Sequence, residues 1–516
     1  MANANVYAAF ERSFEINSAR PALEIDLNQN CTYAQLHRET ARCAAALTGF
    51  GLQRGDRVAV QIEKSPQSLF LYLACLRAGF VYLPLNTAYR LAELAYFLSD
   101  AEPALVVCSP PAEGDVRELV RTSNSSARIA TLDSSGRGSL AEAVQKASIE
   151  FETVTMGPTE LAAIIYTSGT TGRSKGAMLT HRNLLSNAVA LVDSWRFSEQ
   201  DVLLHALPMF HVHGLFVANH CALLSGAKLL WKHRFDARAT VADLPRATVM
   251  MGVPTYYTRL LDEPGLSRAA CANMRLFISG SAPLSLDTFR EFRNRTGHTI
   301  LERYGMSEAG MITSNPVDGE RRGGSVGMPL PGVAVRVADS KDQGVSAGEP
   351  GAIQIRGNNV FAGYWRNPSK TLQEFTADGW FRTGDVGVLD DDGYLSIVAR
   401  AKDLIITGGY NVYPKEVELA IDNMPGVMES AVVGVPHPDF GEAVTAAVVL
   451  SRDTEPPSEP TMMAHLKTLL ANYKVPKRIY FLPALPRNAM GKVQKNVLRE
   501  QFSESPEYGS RSDQAT

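Results

Sequence analysis

Short apolar runs alternate with stretches of helical periodicity along the first hundred residues. Thr32 can cap a helix over residues 33–50, with Leu36, Ala41, Ala44 and Leu47 on one face and Gly51 ending it. Residues 57–62 read as a strand, 65–78 as a helix, 81–86 as a second apolar run, 92–99 as a helix and 104–108 as a strand. This βαβα rhythm predicts a parallel sheet covered by helices. Residues 109–157 are more polar and lose the pattern, which predicts a variable connection with one or two helices.

A second series follows. Residues 161–165 form a buried-strand pattern, 183–193 a helix, and 201–208, 228–231, 248–251 and 274–279 further strand-like runs, most of them ending in Gly, Pro or Ser. Ligands collect at the carboxyl ends of strands in open α/β sheets, so these exits are where a site is expected. Over 330–400 the runs become short and alternating between Gly, Asp and Pro turns, which predicts a mainly antiparallel subdomain. Beyond 400 comes a smaller α/β unit: helix 414–423, strands 430–435 and 443–450, helix 461–471 and strand 478–482. The expected class is therefore α/β: a large domain over 1–400 including the β subdomain, a smaller mobile α/β domain over 401–502, and a polar tail over 503–516 expected to be disordered.

Charge narrows the function. Lys and Arg number 51 against 54 Asp and Glu, a formal net charge of −3 with no basic tract, which argues against a nucleic-acid partner. No uninterrupted apolar stretch is long enough to span a bilayer, and residues 1–6 lack a basic region leading into an apolar core, so a cytoplasmic protein without a membrane partner is expected. Cys31, Cys43, Cys75, Cys108, Cys221 and Cys271 are scattered without a C-x-x-C pair and are expected to pack as small hydrophobes. Oligomeric state is not written in these patterns.

The densest polar chemistry follows the apolar run at 161–165. Residues 166–177 read Tyr-Thr-Ser-Gly-Thr-Thr-Gly-Arg-Ser-Lys-Gly-Ala. Thr167, Ser168, Gly169, Thr170, Thr171 and Gly172 let a backbone close around a polyanion, their N–H groups and hydroxyls donating to phosphate oxygens, and Lys175 adds charge. It is not a Walker loop, which needs Gly before Lys where Ser174 stands. The string resembles the phosphate loop of the adenylate-forming superfamily, the group of acyl-CoA synthetases, firefly luciferase and peptide-synthetase adenylation domains.

Five further strings match that superfamily in the same order, over nearly the whole chain. The resemblance implies a gate beside the acyl tunnel at His211, a loop over adenine at Ser281, Ala282 and Pro283, and an adenine- and magnesium-contacting string at Glu302, Arg303, Tyr304, Gly305, Met306, Ser307 and Glu308. There Tyr304 would stack on the base, and Glu308 with Thr171 would hold Mg²⁺. Ser307 replaces a more common Thr and keeps the hydroxyl. Asp385 matches the carboxylate that accepts from both ribose hydroxyls, a task suited to its several lone pairs. Arg400 would reach the nucleotide, Lys402 matches the residue about which the small domain rotates, and Gly408 and Gly409 border the coenzyme A tunnel. Lys492 matches the lysine of the C-terminal catalytic loop. Each residue alone has a bland alternative, such as a turn aspartate or a surface lysine; their joint order removes it. A metal site at His205, His211, His213 and His220 is disfavoured, since no carboxylate or thiolate joins them at ligand spacing.

The implied activity is an acid–thiol ligase that uses ATP, Mg²⁺ and coenzyme A. A carboxylate attacks the α-phosphate of ATP, releasing pyrophosphate, and a thiol then displaces AMP from the acyl-adenylate. Both reactants of the first step are anions, so cations must screen their approach. Strings around 167–179, 204–215, 251–259, 274–284 and 408–416 resemble malonyl-CoA synthetases, in which Arg at the position of Arg259 holds the distal carboxylate and Met at that of Met311 limits the substituent on C2. Arg259 is expected in a partly dry pocket, and Ser281 near the acyl group. Ile312 stands where those enzymes often carry Asn, which keeps methylmalonate open beside malonate. The competing readings are another short-chain or aryl acyl-CoA ligase and a carrier-loading adenylation module.

Overall fold

The computed structural model describes residues 3–26, 29–123, 125–167, 174–400, 403–407, 410–437, 441–451, 457–470, 472–488 and 491–504. The chain divides into two compact units, Met1–Val335 with Ile355–Phe381 and Arg336–Gln354 with Arg382–Thr516.

The first unit holds two large sheets. A six-stranded sheet runs Arg128–Thr131, Leu105–Cys108, Arg57–Gln61, Val81–Pro84, Leu161–Thr167, Lys175–Thr180. Its strands are parallel except for the last pair, an antiparallel hairpin in which Thr167 faces Lys175. The expected phosphate loop is the connection of that hairpin. The helices came out close to their patterns: Tyr33–Gly49 starts at Thr32 with a capping box to Gln35, and Leu36, Ala41, Ala44 and Leu47 are buried. The strand Arg128–Thr131 inside the supposedly variable segment was not expected, and neither was Lys175–Thr180. Both are short and begin with a basic residue, so periodicity gives little sign of them.

The nine-stranded sheet runs Met328–Pro329, Gly310–Ser314, Leu301–Met306, Leu276–Ser279, Val249–Gly252, Val202–His205, Lys228–Trp231, Pro21–Asp26, Gln29–Thr32. Leu276–Ser279, Val249–Gly252, Val202–His205 and Lys228–Trp231 are mutually parallel, so their carboxyl ends open on one edge. Leu301–Met306 and Gly310–Ser314 form an antiparallel hairpin that carries the string from Glu302 to Met306. All six cysteines are buried and unpaired.

The second unit carries most of a four-stranded sheet, Val333–Ala338, Gly351–Gly357, Phe381–Leu389, Leu395–Arg400, whose last two strands are antiparallel. Its other sheet runs Tyr410–Val412, Ile405–Thr407, Gly441–Leu450, Val427–His437, with Arg478–Phe481 parallel to Gly441–Leu450. Val417, Ile421, Val432, Val444 and Leu466 share its core with neighbours from both helices. A helix at Lys495–Ser503, with Leu498 and Phe502 buried, was not expected. The tail over 505–516 lies outside the described residues.

One titration in this unit has a stability consequence. Asp422 accepts from Ser430 Oγ at 2.6 Å, and burial, with Glu418 and Glu429 nearby and against the pull of Ser430 and Lys415, pushes its carboxyl up to about 6. The folded state then holds a proton that the unfolded chain releases near its ordinary range, so stability falls as pH rises through that window. Asp422→Asn should therefore gain stability relative to the parent above pH about 6 and lose that gain below about 4. Urea denaturation of both proteins across that range checks it; a difference independent of pH would show that Asp422 does not titrate there.

Candidate active site

The carboxyl ends of the parallel strands converge on one group of residues. Ser279 closes the strand Leu276–Ser279, and Gly280 follows, its N–H donating to Gly252 O at 3.3 Å. Ser281 then adopts φ +72°, a left-handed conformation that a non-glycine residue holds only when its surroundings enforce it. Its Oγ lies 3.4 Å from Nδ1 of His213, the first residue of a π-helical turn, His213–Ala218. A Cβ at Gly280 would lie 2.5 Å from Cζ of Arg303, so glycine is what lets the guanidinium lie against this backbone.

Arg303 is 3% exposed and lies next to Tyr304 in the hairpin Leu301–Ser314. Its Nε and Nη2 have no hydrogen-bond partner among the described residues, and neither do Ser279 Oγ and His213 Nε2. Burial lowers the guanidinium to about 9, so it is charged at neutral pH. His213 is pushed well below the usual histidine range, by burial first and then by Arg303, and is neutral. Buried, charged and with open donors, the Arg303 guanidinium can take an anion.

A second group surrounds Glu308, in the turn of the same hairpin. Its carboxylate is 6% exposed. It accepts from Tyr364 Oη at 3.1 Å and Thr167 Oγ1 at 3.5 Å. Lys175 Nζ sits 5.2 Å from the centroid of the Tyr364 ring. Burial raises the carboxyl, against the pull of Tyr364, Lys175 and Thr167. No ammonium or guanidinium lies within ion-pair distance of it among the described residues. Such a carboxylate fits Mg²⁺, which takes one or two protein carboxylates together with substrate phosphates rather than a full protein cage. Among the described residues no cluster of three acidic, histidine or cysteine ligands exists. Bound there, the ion would supply charge neutralisation at the phosphates.

Asparagines absent from every motif hold this hairpin. Asn187 donates to Met311 O at 2.8 Å and accepts from Met311 N at 3.0 Å, Asn359 donates to Ala309 O at 2.8 Å, and Asn315 donates to Glu302 O at 3.1 Å. Met311 is buried, its methyl 2.4 Å from where a Cβ at Gly305 would stand. Ile312, next along the strand, turns to the opposite face and is fully buried. Tyr304 is buried, Glu302 accepts from Gly324 N–H at 3.3 Å, and Gly305, Met306 and Ser307 are half-buried. Ala282 is half-buried and Pro283 exposed. His211 is half-buried, its Nδ1 accepting from His213 N–H at 3.3 Å.

Arg259 differs from its expectation. It stands exposed in the helix Pro254–Leu261, near enough to Tyr256 to act on its phenol, and the dry position belongs to Arg303. In the second unit, Asp385 is buried and directly opposite Arg400 across the antiparallel pair Phe381–Leu389 and Leu395–Arg400. Lys492 pairs with Asn488: its N–H donates to Asn488 Oδ1 at 3.0 Å, and Asn488 N–H donates to its carbonyl at 2.9 Å. Ser168, Gly169, Thr170, Thr171, Gly172, Lys402, Gly408 and Gly409 lie outside the described residues.

A family model described as AMP-binding enzyme matches residues 10–365, and one described as AMP-binding enzyme C-terminal domain matches 416–492. The chain belongs to the AMP-binding enzymes. It is similar to a feruloyl-CoA synthase of an Amycolatopsis species, 36% identical over 91% of this chain and 94% of that protein. It is also similar to a mitochondrial malonate–CoA ligase of Mus musculus, 35% identical over 93% of this chain and 88% of that protein. The structure of ATP-bound MatB from Rhodopseudomonas palustris superposes with a TM-score of 0.94 at 52% identity, covering 97% of this chain and 99% of that one. The protein is thus an AMP-forming acyl-CoA synthetase of the adenylate-forming superfamily, acting on ATP, coenzyme A and an acid. No helix among the described residues is long and apolar enough to cross a membrane.

The arrangement at Glu308 leads to a test. Glu308→Gln keeps the shape and removes the charge, and adenylate formation should fall about a hundredfold, the scale of one lost transition-state contact. Mg²⁺ titration of pyrophosphate exchange checks it: the half-saturating Mg²⁺ concentration should rise with the loss, and an unchanged Mg²⁺ dependence would remove Glu308 from the metal site.

Proposed function

We propose that the acid is malonate, with methylmalonate as the alternative, and that the reaction is malonate + ATP + CoA → malonyl-CoA + AMP + pyrophosphate. The observation that carries this reading is the buried Arg303 guanidinium, whose open nitrogens call for an anion that no described side chain supplies. A monocarboxylate spends its only charge at the α-phosphate. A dicarboxylate has a second charge to place against Arg303, beside Ser281 and neutral His213. The similarity to malonate–CoA ligases supports the same acid, while the feruloyl-CoA synthase is as close in identity and keeps an aryl acid as the competing reading. Met311 packs against Gly305, and on this reading its side chain would limit the substituent on C2. Ile312 points away from Met311, so its replacement of Asn acts only indirectly on the C2 substituent.

Within this reading Thr167, Ser168, Gly169, Thr170, Thr171, Gly172 and Lys175 cradle the phosphates, Ser281, Ala282, Pro283, Glu302 and residues 304–307 border the adenine, and Asp385 and Arg400 serve the ribose side. Thr171 and Glu308 hold Mg²⁺, and His211 gates the acid. Lys492 screens the carboxylate as it attacks. Lys402 is the hinge of a mobile domain over 401–502, which brings Gly408 and Gly409 to coenzyme A for the second step.

Substitution of the two arginines separates the readings. Arg303→Met should lower malonate efficiency by at least two orders of magnitude, since leaving a buried charge without its partner costs roughly 3–5 kcal/mol and the same energy is lost when the partner is the substrate. Butyrate turnover should hold. Arg259→Ala removes an exposed, screened charge and should cost up to about fivefold. Steady-state efficiencies for malonate, methylmalonate and butyrate, with KM for ATP in parallel, decide the matter. A rise in ATP KM as large as that for malonate would return Arg303 to the nucleotide, and equal losses for all three acids would sink the dicarboxylate reading.

Lys492→Ala should block adenylate formation by about a hundredfold or more while preformed acyl-adenylate still reacts with coenzyme A. Pyrophosphate exchange at the parental rate would remove Lys492 from the first step.

A further inference from the structure

Lys64 belongs to no motif. It follows the strand Arg57–Gln61 and precedes Ser65, the cap of the helix Pro66–Ala78. It is 6% exposed and has no carboxylate partner among the described residues. Its Nζ lies 3.1 Å from Nδ1 of His205, donates to His205 O at 2.8 Å and Leu207 O at 3.0 Å, and stands 4.4 Å from the centroid of the Trp231 ring. His233 Nδ1 lies 2.9 Å from the Lys64 carbonyl. The carboxyl ends of Val202–His205 and Lys228–Trp231, in the nine-stranded sheet, are thereby fastened to the end of a strand of the six-stranded sheet.

An ammonium has three protons and no lone pair, so the three polar contacts consume it and Nδ1 of His205 must accept. Burial pulls the Lys64 ammonium well below its ordinary range, while the two carbonyl oxygens, the imidazole nitrogen and the indole face all favour its charged form. His205 is held neutral by burial and by the charge of Lys64. Its one ring proton is then on Nε2, which lies 3.1 Å from Gly214 O. Asn219 donates to the same oxygen and to Leu215 O, both at 3.0 Å. These are carbonyls of the π-helical turn His213–Ala218, a form rare in proteins and frequent at functional sites. Gly214 packs so closely that a Cβ there would lie 2.1 Å from Pro208 O.

We propose that Lys64 is a positioning residue for acid binding: through one fixed tautomer of His205 it holds the π-helical turn, and with it His213 against Ser281. The proposal rests on the acid pocket described above. Lys64 touches no reacting atom, and its effect passes through hydrogen bonds alone, so it should appear in the KM for the acid and not in that for ATP.

The test compares the parent with Lys64→Met, His205→Leu and His205→Gln. Lys64→Met should raise malonate KM about tenfold and leave ATP KM within about twofold, because one relay contact of about 1.4 kcal/mol is a factor of ten. Proton–nitrogen correlation spectra of histidine-labelled protein should show His205, assigned by its loss in His205→Gln, as a single Nε2–H form in the parent and as a mixture in Lys64→Met. His205→Leu should match Lys64→Met, whereas His205→Gln can accept at one end and donate at the other and should stay near the parent. Should Lys64→Met fail to fold, the two His205 variants, compared at equal melting temperature, decide. Parallel rises in both KM values, an unchanged malonate KM, an Nδ1–H form in the parent, or equal behaviour of Gln and Leu at position 205 would each overturn the proposal. If the parent does not turn over malonate, the substrate reading fails, and the tautomer of His205 still tests the relay.

Discussion

A positive charge removed from water must be compensated, and two of the buried cations of the first unit are compensated differently. Lys64 has every ammonium proton on an acceptor and an indole face beside it. That is a closed arrangement, and it serves geometry. Arg303 is as deeply buried, yet Nε and Nη2 have no partner among the described residues. Packing alone does not explain such a site, because open donors in a dry setting cost free energy that a neutral side chain of the same volume would avoid. The local backbone bears the same mark. Gly280 leaves room for the guanidinium, and Ser281 holds a left-handed conformation that keeps its hydroxyl on His213. Ser281 and Arg303 therefore accept a steric and an electrostatic cost at one place, beside Gly280.

Much of this was legible in the chain. The alternation of apolar runs gave the parallel strands, and their Gly, Pro and Ser exits marked where Ser281 and the segment from His205 to His213 emerge. The motif strings located Glu308 and Arg303. Burial was not legible, because it depends on what crosses over a side chain. Arg259 sits on a helix whose amphipathic pattern fits either an exposed or a pocket-facing arginine, and the structure leaves it exposed. Arg303 lies in a string associated with adenine, and only the approach of Gly280 reveals that it is enclosed.

The positioning residues were invisible for a different reason. Asn187 reaches Met311 across 124 positions, and Lys64 reaches His205 across 141. No local period or short motif encodes a contact at that separation. An asparagine inside a helix reads as a weak helix former, and a lysine after a strand reads as solvated. What could have raised suspicion is the company they keep: Lys64 falls between a buried strand and a helix with Pro66 at its first position, where the chain has little freedom to swing a side chain outward.

The two cations together suggest how selectivity for a second charge arises on the proposed reading. Attraction alone would be a weak filter, since malonate and a monocarboxylate share the reacting carboxylate and differ by one group. The stronger discrimination comes from what is left behind when the wrong acid binds. A monocarboxylate that seals the pocket removes Arg303 from its remaining access to water and offers nothing in return, so the enzyme–substrate complex carries an uncompensated charge. Sites that present buried polar groups reject analogues lacking the matching group by more than apolar pockets reject a missing methylene, for this reason. Rejection of that kind needs a guanidinium that cannot swing back to solvent. The hairpin Leu301–Ser314 provides this, held at Glu302, Ala309 and Met311 by Asn315, Asn359 and Asn187. On the proposed reading, rigidity of the hairpin is part of substrate choice, and the asparagines that hold it would act on specificity without touching the acid.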